Sequence, residues 1–427
     1  MSKPLEGVKI IEVSVWAYVP SAGAALAEWG AEVIKIEPPT GDPMRGLVNA
    51  GVGPMEGIVF PWELWNRGKR GMALDLQKPE AREIVGKLCE TADVFLTSYL
   101  PSVRAKLGVD LDSIRARNPE IIYACGTGQG AVGPESERGG YDSITFWSRG
   151  GVSDGATPPD YPRPVQMPAG AFGDSLSGVS LAGGVAAALV QKAATGKGSI
   201  VDGSLFGTAA WAMQMASVGA AVAASQAPDA NESTSEANAA SVAGSEGSSD
   251  EPHVPSKSPI ANPLVNVYRT STGRWVALCM LQPDVYFEGL VCAIGREDMV
   301  ADARFATPKA RAENVDLIVE ELAKAFAVLS FEEACRALAS QRGQWDVVNR
   351  AQDLLDDPQA IANGFVQHVS YSKDRSLPIF TSPVHFDRTP PELVPAPEFS
   401  ADADEILASI GMSEEEILEA KISGAVV

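Results

Sequence analysis

The chain has 427 residues, 45% hydrophobic and 21% charged, and its 55 acidic against 34 basic side chains give a net charge of −21. That length can bury a large core in two domains, and so negative a balance excludes nucleic acid or an anionic membrane as the main partner. No apolar run has the length of a membrane span, the start MSKPLEGVKIIEV lacks the apolar stretch of a signal peptide, and five scattered cysteines without a CxxC fit reduced thiols in a cytoplasm.

Residues 8–13 (VKIIEV) read as a buried strand, 21–29 as a helix and 32–36 (EVIKI) as a second strand. A short strand at 72–74, a helix at 79–91 opened by Pro79, a strand at 94–97, a helix at 111–117 and a strand at 121–126 follow. Short apolar strands alternating with amphipathic helices predict an α/β fold with a mainly parallel sheet, Rossmann-like in outline. The first strand–helix turn, VSVWAYVPSAG, has no GxGxxG, so a dinucleotide site is not expected.

The stretch PAGAFGDSLSGVSLAGG, 168–184, organises the middle of the chain. A helix is expected to open with Asp174 as its N-cap and to run to about residue 194, stopping at TGKG. Gly178, Gly183 and Gly184 inside it leave room for something to approach the backbone. A carboxylate at a helix start among small residues is either a structural cap or a functional group. A strand at 199–202 and a helix at 205–221 come next, then 225–258, an acidic segment without aromatics that reads as a mobile, solvated insert. Beyond it a hairpin (265–268 and 275–279) and helices at 285–294, 315–329 and 331–340 predict a small α+β domain, and Ser413 with Glu416 forms a capping box for a last helix. The three histidines have no metal-ligand spacing, and no metal is expected. The predicted organisation is a large domain at 1–224, the insert at 225–258, a small domain at 259–340 and a return to the large domain at 341–427.

Several segments in order, PLEGVKIIEV, GAEVIKIEPPTGDPMRG, NRGKRGMALDL, LPSVRAKLG, GGYDS, FGDSLSG, GKGSIVDGSL and SEEEI, resemble the class III CoA-transferases, the CaiB/BaiF family that also holds 2-methylacyl-CoA racemases. The resemblance spans all but the acidic insert. It implies a large Rossmann-like domain built from both ends of the chain, a smaller domain between, and an interlocked homodimer. It implies coenzyme A and acyl-CoA as substrates with a carboxylic acid acceptor, no tightly bound cofactor, and Asp174 as the catalytic carboxylate that carries CoA as a thioester. Trp16 and Ala17 match the segment lining the thioester end, and an oxalate-directed enzyme usually has Gln where this chain has Ala17. Lys69 and Arg70 in NRGKR and Arg104 in LPSVRAKLG are the expected cations for the CoA nucleotide, with Lys35 and Arg45 as further candidates. Tyr141 stands where the racemase branch carries a histidine, and a phenol with a pKa near 10 is a poor proton shuttle. Transfer is therefore favoured over the alternatives, a racemase or an inactive CoA-binding protein.

Overall fold

Strands with apolar residues on both faces need cover on both sides, and here they receive it. The computed structural model describes residues 3–50, 59–226, 261–372 and 375–427. The acidic segment 227–260 lies outside the described residues. In the larger of two compact units (3–157, 162–226 and 358–427 among those described) the strands are β1 Lys9–Val13, β2 Glu32–Glu37, β3 Arg70–Ala73, β4 Val94–Thr97, β5 Ile122–Thr127 and β6 Ile200–Ser204. All pair in parallel in the order β3-β2-β1-β4-β5-β6, with Ile11 opposite Ile34 and Phe95.

Alternate side chains point to opposite faces. Ile11, Val13, Ile34, Ile36, Phe95 and Tyr123 pack with α3 (Pro79–Glu90), α5 (Leu111–Arg117) and the C-terminal helices Ala403–Ser409 and Glu414–Ile422. Ile10, Val33, Val94, Leu96 and Ile122 pack with α1 (Tyr18–Glu28), α7 (Phe172–Thr195) and α8 (Leu205–Ala212). Between α3 and α5 lies α4 (Pro101–Leu107), α2 (Phe60–Asn66) precedes β3, and the short α6 (Val152–Ala156) precedes α7. The end of the chain returns to the sheet edge, where Leu74 bridges Val426 and Asp402 Oδ2 accepts the Gly71 N–H at 2.7 Å. The capping box of Ser413 and Glu416 is formed as expected.

The second unit, 158–161 and 261–357 among the described residues, has its own core around Leu264, Tyr268, Phe287 and Phe326. Strands β7 (Val265–Arg269), β8 (Trp275–Cys279) and β9 (Trp345–Val347) form an antiparallel sheet. The unit runs past the boundary expected at 340 because Trp345 pairs with Leu278.

Three local features refine the sequence reading. The helix starting at Leu205 breaks at Met213 and continues, bent by 60°, as α9 (Gln214–Gln226). The N-cap of α7 is Ala171, not Asp174, which sits inside the first turn. Gly178 serves helix packing: a Cβ there would stand 1.8 Å from Ser21 Oγ and 2.8 Å from the Tyr18 carbonyl of α1. By length and composition α7 could cross a bilayer, but Leu181, Ala182 and Val185 are buried against the sheet and α1.

Candidate active site

In this strand order ligands bind at the carboxyl ends of the strands, where β1 and β4 diverge. The two loops leaving that point are tied together, the Val15 N–H donating to Ser98 Oγ at 3.0 Å. Trp16, next in the first loop, has φ +70°, a left-handed conformation that costs a non-glycine residue on the order of 1 kcal/mol. It is held there by its N–H, which donates to Asp42 Oδ1 at 3.1 Å. Ala171, entering α7, is likewise left-handed at φ +60°. Both pack into one cluster with Ala17, Met44 and Trp62. Two strained residues converging on one spot is a mark of a functional site.

Asp174 follows. Its carboxylate is half-buried, and burial, reinforced by the charge of Asp142, pushes its pKa up to about 7. Asp142 is buried; its Oδ2 accepts the N–H of Gly173 at 2.8 Å and of Asp174 at 3.4 Å, and its Oδ1 has no hydrogen-bond partner among the described residues. A carboxylate 32 residues upstream therefore caps the helix that carries Asp174. It is delivered by the chain entering a π-helical turn, Ser143–Arg149. Tyr141, one residue earlier and 58% exposed, meets the Trp16 ring edge-on at 5.7 Å. Phe172, beside Asp174, stands edge-on to Trp147 at 6.1 Å.

Farther along α7, Ser177 and Leu181, with Tyr18, Gly203 and Thr208, line a cavity of about 470 Å³ that Asp174 itself does not line. The hydroxyls of Tyr18 and Ser177 are buried and have no hydrogen-bond partner among the described residues. A buried hydroxyl left unpaired costs free energy.

The expected cations fare differently. Arg104 lies on α4 after β4, half-buried, with one guanidinium N–H donating to Cys125 Sγ at 2.7 Å and Nε unpaired among the described residues. Lys69 is a correction. Its ammonium is buried, ion-paired with Glu12 Oε2 at 2.8 Å, and donates to the Pro20 carbonyl (2.9 Å) and Asn66 Oδ1 (3.0 Å), leaving no open side for a phosphate. Lys35 is also buried, pairing with Glu12 and Asp42 at 3.1 Å each. Arg45 is bound bidentate by Glu37 and lies 3.6 Å over the Trp62 ring. Arg70 opens β3, at the amino end of the strands, and pairs with Glu32 and Glu405, away from the site. Ala17 is buried as packing. The structure thus brings together Trp16, Tyr141 and the start of α7 with Asp174.

A family model described as CoA-transferase family III matches residues 5–403. The chain belongs to CoA-transferase family III. It is 31% identical over 424 residues to (R)-2-hydroxy-4-methylpentanoate CoA-transferase of Clostridioides difficile, covering 99% of both chains. It is 28% identical over 440 residues to cinnamoyl-CoA:phenyllactate CoA-transferase of Clostridium sporogenes, covering 97% of this chain and 95% of that one. A CaiB/BaiF family crystal structure from Brucella suis superposes with a TM-score of 0.75 at 26% identity, covering 96% of this chain and all of that one. The chain is accordingly an α/β enzyme of the CoA-transferase type.

The residue that sequence reading of this family III chain missed is Asp142. It stood inside the GGYDS segment, but nothing local announces a cap for a helix that begins 30 residues later.

Proposed function

We propose that the protein is an acyl-CoA:carboxylate CoA-transferase in which Asp174 carries CoA as an aspartyl thioester. The observation that carries this reading is a carboxylate of raised basicity, half-buried in the first turn of α7, where the left-handed Trp16 and Ala171 converge. Asp174 attacks the donor thioester carbonyl and the C–S bond breaks, giving a mixed anhydride and CoA thiolate. The thiolate attacks the Asp174 carbonyl of that anhydride, releasing the donor acid and leaving aspartyl-CoA. The acceptor carboxylate then attacks the aspartyl thioester, and the freed thiolate takes the acceptor acyl group and restores Asp174. A carboxylate is a weak nucleophile, but one held at attack distance gains a large effective molarity. Arg104, half-buried on α4 after β4, suits the nucleotide end by its charge.

Trp16, Tyr141 and Phe172 give the site an aromatic wall. The acyl group is therefore apolar, branched or aromatic, as in the acids named for the two relatives above. Incubation with acyl-CoA and hydroxylamine should convert Asp174 to its hydroxamate, read as a mass shift on its peptide. An unmodified Asp174 under turnover would end the proposal.

The working form is a homodimer in the cytoplasm, in keeping with five free cysteines. Trp211, Met215, Val218 and Val222 are all exposed along α8 and α9, an apolar face without cover among the described residues. Met215→Glu with Val218→Glu should shift sedimentation from dimer to monomer mass. An unchanged dimer would place the subunit contact elsewhere.

A further inference from the structure

We infer that Asp142 is a positioning residue for the transfer reaction: it takes up the amino-terminal field of α7 and so leaves Asp174 a basic, nucleophilic carboxylate. The inference rests on the role of Asp174 proposed above. An aspartate in the first turn of a helix ordinarily gains from the free N–H groups and the positive end of the dipole, which stabilise its anion and lower its basicity. Here both are diverted. The N–H groups of Gly173 and of Asp174 itself donate to Asp142 Oδ2.

The other oxygen strengthens the argument. Asp142 is only 5% exposed and its Oδ1 has no hydrogen-bond partner among the described residues; burial raises its own pKa against the lowering by the Gly173 and Asp174 N–H groups, and once ionised its charge acts on Asp174. The fit is close: a Cβ on residue 173 would stand 2.5 Å from Asp142 Oδ1 and 2.3 Å from the Phe146 ring. Only glycine lets the carboxylate lie against the helix end. The second titratable group coupled to Asp174 is Tyr18 of α1, whose phenol burial and Asp174 hold neutral, so it adds no charge of its own. Burial and Asp142 together raise Asp174 to about 7. For attack on a thioester this matters because nucleophilic strength rises with basicity. The same arrangement sets the lower pH limit of activity, since the protonated acid does not attack.

The test is a pH–rate profile of Asp142→Asn, which keeps the shape and an acceptor oxygen for the Gly173 N–H but removes the charge. In the wild type kcat/KM for the acyl-CoA donor should rise through pH 7 and level above it. In the variant the acid limb should move down by about one pH unit, and the plateau kcat should fall by about three- to tenfold, with KM for the donor changed less than about twofold. A 13C NMR titration of the Asp174 carboxyl in free enzyme should shift by the same interval, independently of turnover. If Asp142→Asn does not fold, Asp142→Ser, which also offers an oxygen to the helix, gives the same readouts. A folded variant whose acid limb and Asp174 titration both stay in place overturns the inference. With a wild-type hydroxamate formed at Asp174, that result removes the role of Asp142 alone, whereas a wild type without the adduct removes the role of Asp174 and this inference with it.

Discussion

Asp174→Asn should lose turnover by on the order of 10³-fold or more and, at pH 8, should be more stable than the wild type by about 1–2 kcal/mol. The two effects have one cause. Burial, with Asp142 beside it, raises the Asp174 carboxyl from an ordinary value near 4 to about 7 in the folded protein. Between those values the folded state binds a proton that the unfolded chain has lost, so wild-type stability falls as pH rises through that interval and levels off above 7. A full shift would be worth more, but the side chain is only half-buried and solvent screens part of it. An amide carries no charge and escapes the penalty. The gain in Asp174→Asn should therefore be near zero at pH 4, grow up to pH 7 and stay constant beyond it. Calorimetric unfolding of both proteins across this range, beside a CoA-exchange assay, reads both effects. A variant equally or less stable at pH 8 would mean that the carboxylate is satisfied in the fold and not held ready for chemistry.

The strands at the heart of the sheet were legible because each is a short apolar run between helices, and the β4 limits, 94–97, agree in sequence and structure. The break at Met213 was not, since an Ala- and Met-rich run reads as one helix whichever way it bends. At the site, Asp174, Trp16 and Tyr141 were each singled out through the segments that carry them, but the edge-on contact of Trp16 with Tyr141 was not, because it joins distant loops. Asp142 was not, because its partners are backbone N–H groups, which leave no trace in side-chain identity. Lys69 misled for the opposite reason. A lysine flanked by two arginines in NRGKR looks like surface charge, and only the position of Glu12, 57 residues earlier and central in the sheet, shows why it is interior. Local composition records the sign of a charge but not its counterion when that lies on a distant strand.

Glu12→Gln should cost about 3–5 kcal/mol of folding stability, a large part of the 5–15 kcal/mol typical of a domain. Glu12 is fully buried at the carboxyl end of β1, with Oε1 3.1 Å from Lys35 Nζ and Oε2 2.8 Å from Lys69 Nζ, and it accepts the Ser14 hydroxyl at 2.7 Å. Burial alone would raise its pKa, but the two ammoniums outweigh it and hold the carboxyl below its usual range. Its contribution is therefore present above pH 4.5 and is lost only as pH falls through that lowered value. An amide in its place leaves two buried ammoniums with Asp42 alone, and Asp42 also anchors the left-handed Trp16. Lys69, whose ammonium burial and Lys35 already disfavour, would respond by losing its proton. Removing a pair together is a different matter, because apolar residues of similar volume replace a buried ion pair at little cost. Glu12→Leu with Lys69→Met keeps the Lys35–Asp42 bridge and so the anchor of Trp16. In denaturant titrations this double variant should recover most of what Glu12→Gln loses. A double variant as unstable as the single one would show that Glu12 acts through Lys35, Ser14 and the strand ends rather than through the charge it shares with Lys69.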